Sequence, residues 1–287
     1  MALIKIKNEF IEVTINTSGA EIQSVLDYSG KEYIWQGDPS LWSGHSPVLF
    51  PICGGLNEDT YTLEGKKYNM EKHGFARNSE FEVTELSNSC TELLLKDSPE
   101  TITSFPYRFE FRVRYTLCGK KLSVEFITKN LSDKTMYFSC GAHEGYNLPN
   151  GIDGTMIIFE KPEELYNYRV EGGVMSTLYD KIGDGTQNLI LNKKYFEIDA
   201  IILKELSSRS LCLLSNDKKT CIRIDFPDFD HLLIWQPCGA PFVCIEPWTG
   251  LPDTYGSENR AIECKESITA LLPNSRSTAK HDITFEF

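Results

Sequence analysis

Four short stretches of this 287-residue chain set side chains capable of chemistry beside glycine or proline: SGHSPVLFPICGG (43–55), MEKHGFARN (70–78), CGAHEGYNLP (140–149) and GAPFVCIEPWTGLPD (239–253). In the last, Glu246 follows the apolar run PFVCI and precedes Pro247, which keeps the glutamate extended. A carboxylate placed beside an apolar strand and Trp248 is partly desolvated, which raises its pKa and makes it a better proton acceptor. The alternative is a strand-end glutamate in a salt bridge. An indole next to an acid also suits a sugar, whose C–H faces stack on the ring while its hydroxyls bond the carboxylate. In GAHEGYN, His143 is the complementary group, because imidazole donates a proton near neutrality where a carboxylic acid does not. Taken alone, it is equally a loop residue. In HGFAR, His73 and Arg77 stand four apart across Phe75 and can turn toward one ligand as donors to hydroxyls or to an anion, or be a surface histidine and a solvated arginine. Asp199 follows Tyr195 and Phe196 and precedes a strong strand, where it either accepts bonds from ligand hydroxyls or caps a turn.

These residues need a frame, and the hydrophobic pattern predicts one of strands. IKIKNEFIEVTI, YRFEFRVRYTL, KLSVEFITKN, DAIILKEL, TCIRIDF and HDITFEF alternate or nearly alternate apolar and polar residues over strand lengths. Turn signals such as YSGK, LEGKK, LSNS, LCGKK, NLSDK and SNDKK lie between such runs. Helical spacing is scarce, with a turn or two predicted at PEELYNY (162–168). The chain is therefore expected to be all-β, with more than fifteen antiparallel strands stacked or curled into a sandwich with one concave face. The stretch GVMSTLYDKIGDGTQN (173–188) is expected as a loop bordering that face. No composition break or linker divides the sequence, so 1–287 is expected to form one domain.

Twenty-nine basic against 41 acidic residues give a formal charge of -12, which disfavours nucleic acid and anionic lipid as partners. No run approaches a membrane span, and the amino terminus lacks a leader pattern, so a cytoplasmic protein is expected. The nine cysteines (53, 90, 118, 140, 212, 221, 238, 244 and 264) include no CxxC pair, which fits reduced thiols and offers no zinc spacing.

Together, GAEIQSVLD (19–27), YIWQGDPSLW (33–42), SPVLFPICG (46–54), HGFAR (73–77), GAHEGYN (141–147), FEIDAI (196–201), LIWQP (233–237) and APFVCIEPWTG (240–250) resemble, in order, the aldose 1-epimerase (galactose mutarotase-like) superfamily. The resemblance is to its bacterial branch near the hexose-6-phosphate mutarotases. It implies a large antiparallel β-sandwich, or supersandwich, with a concave sugar site and neither metal nor organic cofactor. The implied partner is a small-molecule sugar, a hexose or a hexose phosphate, bound by a monomer or homodimer. By the same resemblance His143 is the general acid and Glu246 the general base, while His73, Arg77, Asp199 and Trp248 bind substrate. Family members commonly carry an arginine after the glycine of the LFPxxG segment, where this chain has Gly55. In the hexose-6-phosphate relatives arginines near this position help to hold phosphate. A non-catalytic carbohydrate-binding protein using the same groove is the alternative. A glycoside hydrolase would need a second carboxylate, such as Asp199, opposite Glu246.

Overall fold

The computed structural model describes residues 2–286. The chain opens as a meander of β1 (Leu3–Lys7), β2 (Ile11–Asn16) and β3 (Glu21–Asp27). IKIKNEFIEVTI is thus two strands rather than one, because the Asn8 side-chain oxygen accepts bonds from the N–H groups of Phe10 and Ile11 and closes a turn between them. A small hairpin follows at LEGKK, made of β4 (Thr60–Leu63) and β5 (Lys66–Asn69). Then β6 (Glu82–Leu86), β7 (Cys90–Lys96), β8 (Phe109–Cys118) and β9 (Lys121–Asn130) run antiparallel. A helix, α1 (Pro99–Ser104), interrupts them. Ser98 caps it, accepting from the Thr101 N–H while its own N–H donates to Thr101 Oγ1.

Next come β10 (Met136–Phe138) and β11 (Glu144–Asn147), then a long hairpin of β12 (Met156–Glu171) and β13 (Val174–Ile190). The chain continues through β14 (Ile201–Leu203), β15 (Ser210–Leu214), β16 (Cys221–Asp225), β17 (His231–Trp235) and β18 (Phe242–Trp248). It closes with β19 (Thr269–Leu271) and β20 (Arg276–Glu286). Nine strands form one sheet in the order β13-β12-β15-β16-β20-β9-β8-β7-β6, and four form another in the order β11-β18-β17-β14.

Two expectations are corrected. PEELYNY is not helical but lies within β12. Seven residues without caps do not nucleate a helix, and β13 supplies a partner across which Leu165 pairs with Gly183 and is buried. For the same reason the predicted loop 173–188 is strand from Val174 on, and only its first residues, Gly173 and Val174, reach the pocket described below.

The sheets meet across one apolar cluster. β8 shows how the sequence builds it: Phe109, Phe111, Val113, Tyr115 and Leu117 point inward, while Glu110, Arg112 and Arg114 alternate outward. Arg112 pairs there with Glu92 at 2.6 Å. From the four-stranded sheet, Tyr146, Leu232, Val243 and Ile245 enter the same cluster, meeting Val124, Phe126 and Ile283 of the nine-stranded sheet. Phe50, from the loop after β3, lies between, stacked on Phe111 at 4.2 Å between ring centroids. Phe111→Ala, which empties part of this contact, is expected to lower unfolding free energy by about 3–5 kcal/mol in a urea titration.

Candidate active site

Side chains alternate across a strand, so the four-stranded sheet has two different faces. Its inward face carries Tyr146, Val243, Ile245, Leu232, Ile234, Ile201 and Leu203 into the core. The other parity places Glu246 and Trp248 of β18, Leu233 and Trp235 of β17 and Ile202 of β14 on the outer face, with His143 just ahead of β11. That face is the floor of a cavity of about 590 Å³, within the range of small-molecule sites.

Glu246 is in the middle of a strand in which every residue is buried, and its Cα neighbour across β17 is Leu233. His143 is held by the backbone on both sides. The Ala142 N–H donates to the Pro247 carbonyl, the Gly145 N–H donates to that of His45, and Gly141 exchanges two bonds with Leu49. Gly141 has no side chain for a steric reason, since a Cβ there would lie 2.5 Å from Cδ1 of Trp248. The result is that His143 Nε2 stands 3.4 Å from Glu246 Oε2, with both residues more than nine-tenths buried.

Burial dominates the electrostatics. It raises the Glu246 pKa well above the usual carboxylate value; the charge of Lys72 opposes this, and those of Asp199 and Glu144 reinforce it. Burial also lowers the His143 pKa to about 3, with the charges of Lys72 and Arg77 adding in the same direction. Both shifts place the pair's proton on Glu246, the reverse of a histidine donor beside a carboxylate acceptor. His73 is likewise neutral, its pKa pushed well below the histidine value by burial and by His143, Lys72 and Arg77. Its Nδ1 accepts the Gly54 N–H at 3.2 Å, which leaves the proton of the neutral ring on Nε2. The neighbouring Gly74 has φ +70°, and a Cβ there would lie 2.4 Å from the Phe50 carbonyl oxygen, so the tight turn that aims His73 requires glycine.

All six residues singled out from the sequence line this one cavity: His73, Arg77, His143, Asp199, Glu246 and Trp248. Trp248 is 2% exposed. Its Nε1 donates to the Ala142 carbonyl, and its ring meets His73 edge-on at 5.4 Å. The half-buried indoles of the wall are Trp42, stacked on the His143 ring at 5.2 Å, and Trp235, edge-on to it at 5.7 Å. Neither was selected by type and spacing, although both lie in motifs already quoted, YIWQGDPSLW and LIWQP. Lys72, adjacent to His73, was not singled out from the sequence yet lines the cavity. Cys244 was also missed: its sulfur, a nitrogen of His143 and a carboxylate oxygen of Glu246 lie within 4.8 Å of one another. Three donors leave one position open, where a structural zinc site fills four.

Gly55 has a local explanation. A Cβ there would lie 2.8 Å from the Gly173 carbonyl oxygen, so the tip of the β12–β13 hairpin stands where a larger side chain would begin. No helix among the described residues is long and apolar enough to cross a membrane.

Comparison with known proteins identifies the family and the fold. The LacX protein of Lactococcus lactis subsp. lactis, in its chromosomal form, is 35% identical over 98% of both chains. A galactose mutarotase related enzyme from Lactobacillus acidophilus is 32% identical, with a TM-score of 0.94 over 100% of this chain and 98% of that one. A galactose mutarotase-like protein from Lactobacillus casei ATCC 334 gives a TM-score of 0.94 at 29% identity, covering 99% of this chain and 100% of that one. The family profile described as aldose 1-epimerase matches residues 2–260, and the chain belongs to the aldose 1-epimerase family.

Proposed function

We propose that this chain, folded as one domain, interconverts the α and β anomers of a hexose, with Glu246 and His143 acting together at the anomeric carbon. The observation that carries this reading is the pair itself: a buried carboxyl and a buried imidazole 3.4 Å apart on the floor of the cavity. Ring opening needs a proton to leave the C1 hydroxyl and another to reach the ring oxygen. Both oxygens are bonded to C1, so adjacent protein groups suit adjacent substrate atoms. With the pair's proton moved to His143, the Glu246 carboxylate takes the hydroxyl proton while Nε2 of the imidazolium protonates the ring oxygen. The bond from C1 to the ring oxygen breaks and an aldehyde forms. This leaves a carboxylic acid beside a neutral imidazole, the distribution that burial favours. Rotation about C1–C2 turns the other carbonyl face inward. The freed hydroxyl then attacks, giving its proton back to His143, and Glu246 returns its proton to the carbonyl oxygen. His73 Nε2–H, Arg77 and Asp199 hold hydroxyls, and the indoles of Trp42 and Trp235 pack on C–H faces.

Glu246→Gln and His143→Asn are each expected to slow anomer exchange of glucose or galactose by on the order of 10²- to 10⁴-fold in polarimetry, with the fold intact. Saturable sugar binding with exchange no faster than buffer would instead select the non-catalytic reading.

The pH dependence has a defined sign. The pair works while it holds one proton. It gains a second as pH falls through the His143 pKa of about 3 and loses its only one as pH rises through the raised Glu246 value. After subtraction of the buffer rate, kcat/KM at about pH 5 is therefore expected to match that at about pH 7. A decline centred on the ordinary histidine value of roughly 6.5 would contradict the assignment.

A second reading concerns substrate charge. Lys72 and Arg77 line the cavity, neither forms an ion pair among the described residues, and Nε of Arg77 is buried without a hydrogen-bond partner. Two unpaired cations favour a hexose bearing a phosphate. The expected outcome is a lower KM for glucose 6-phosphate than for glucose. Arg77→Ala and Lys72→Ala should then raise the phosphosugar KM by roughly tenfold each while changing the glucose KM far less.

A further inference from the structure

Glu144 follows His143 directly but takes no part in the cavity. Alternation along β11 turns its side chain to the opposite face of the sheet, into the core. There its Oε1 lies 2.9 Å from Nε2 of His281. His281 is on β20, paired with Val124 of β9 in the middle of the nine-stranded sheet, and its ring lies 5.8 Å from those of both Phe126 and Phe229. Glu144 is 3% exposed and His281 0%. This polar contact thus joins β11 of the four-stranded sheet to β20 of the nine-stranded sheet inside the core.

Stability does not account for such a contact. Well-packed apolar side chains of similar volume commonly do as well or better than a buried ion pair, and the inward neighbours Val243, Ile245 and Ile283 are apolar. Three connections lead instead toward the cavity. Glu144 shares a peptide bond with His143. Its Cα lies opposite Ile245, the residue before Glu246. Its charge also reaches the pocket side of the sheet, where it adds to the effects of burial and Asp199 on Glu246 and works against Lys72. The titratable groups facing Glu144 itself are His281 from β20, Tyr115 from β8 and Tyr146 from its own strand, while Cys244 of β18 feels its charge from the cavity side.

We infer that Glu144 and His281 are a positioning pair, anchoring the start of β11 to the nine-stranded sheet and so fixing His143 at its distance from Glu246. The inference rests on the mutarotase reading above. Neither residue touches substrate; they act through the backbone that carries the imidazole.

The test compares Glu144→Ala, His281→Ala and Glu144→Gln, which keeps an oxygen for His281, with the double variant Glu144→Met, His281→Leu. The double variant fills the space with apolar side chains and guards against loss of fold. In the alanine variants and the folded double variant, kcat for anomer exchange is expected to fall by on the order of 10- to 10²-fold, as for a misplaced reacting group. Binding of 1,5-anhydroglucitol, which lacks the C1 hydroxyl, should change by less than about threefold. Glu144→Gln should retain most activity. A readout independent of turnover is the ¹⁵N imidazole spectrum, tractable with five histidines: the His143 resonance should shift or broaden in the double variant. A double variant with wild-type melting temperature, full kcat and an unchanged His143 resonance overturns the inference. So does a parallel loss of turnover, binding and melting temperature, which marks a purely structural pair. If the wild-type chain shows no exchange above buffer, the mutarotase reading fails on its own account, and the His143 resonance still decides the positioning.

Discussion

A carboxyl group in the middle of a fully buried strand is tolerable only when neutral or paired. For Glu246 the one contact of that kind among the described residues is His143. Much of the surrounding structure follows from this constraint. The imidazole has to approach from a neighbouring chain segment, so the backbone of residues 141–145 is bonded on one side to Leu49 and His45 and on the other to Pro247. The segment runs close against an indole, so residue 141 has no side chain. Moving a proton between the two groups costs little net charge, because the pair is neutral overall in either arrangement. A low-dielectric floor can therefore hold a carboxyl and an imidazole that share one proton without a permanent ion.

The four-stranded sheet is where the core and the cavity share a backbone. Each of its strands contributes alternate residues to each, so a shift of one residue in register would bring Ile245 to the cavity and Glu246 to the phenylalanines. The register is fixed from the core side by apolar packing and from the cavity side by the Trp248 bond to Ala142. The placement of Glu246 and His143 is thus set largely by residues that do not line the cavity.

Much of this was legible in the sequence. Strict alternation in YRFEFRVRYTL indicated which side chains enter the core, because a period of two admits one solution when a single face is buried, whereas KLSVEFITKN alternates only nearly and is buried on both faces. Glu246 was legible for the same local reason: an acid after PFVCI and before proline and tryptophan has little choice of environment. His143, His73 and Asp199 gained their meaning only in combination, since their convergence depends on contacts far apart in the chain. Trp42, Trp235 and Lys72 were hidden because their residue types are ordinary in a wall or on a surface. What distinguishes them is the direction set by a loop and by β17, which no short-range spacing encodes. PEELYNY misled because its composition suits a helix while its partner strand lies across a two-glycine turn. Pairing overrode local preference.

The contact between Gly55 and the hairpin tip couples two parts of the molecule that are more than a hundred residues apart. Evolution cannot alter one freely without the other. A lineage that gains a long side chain at position 55 must first retract or swing the β12–β13 tip, and one that lengthens the tip must keep position 55 small. The hairpin tip therefore closes this part of the cavity wall with backbone, where position 55 has no room for a side chain.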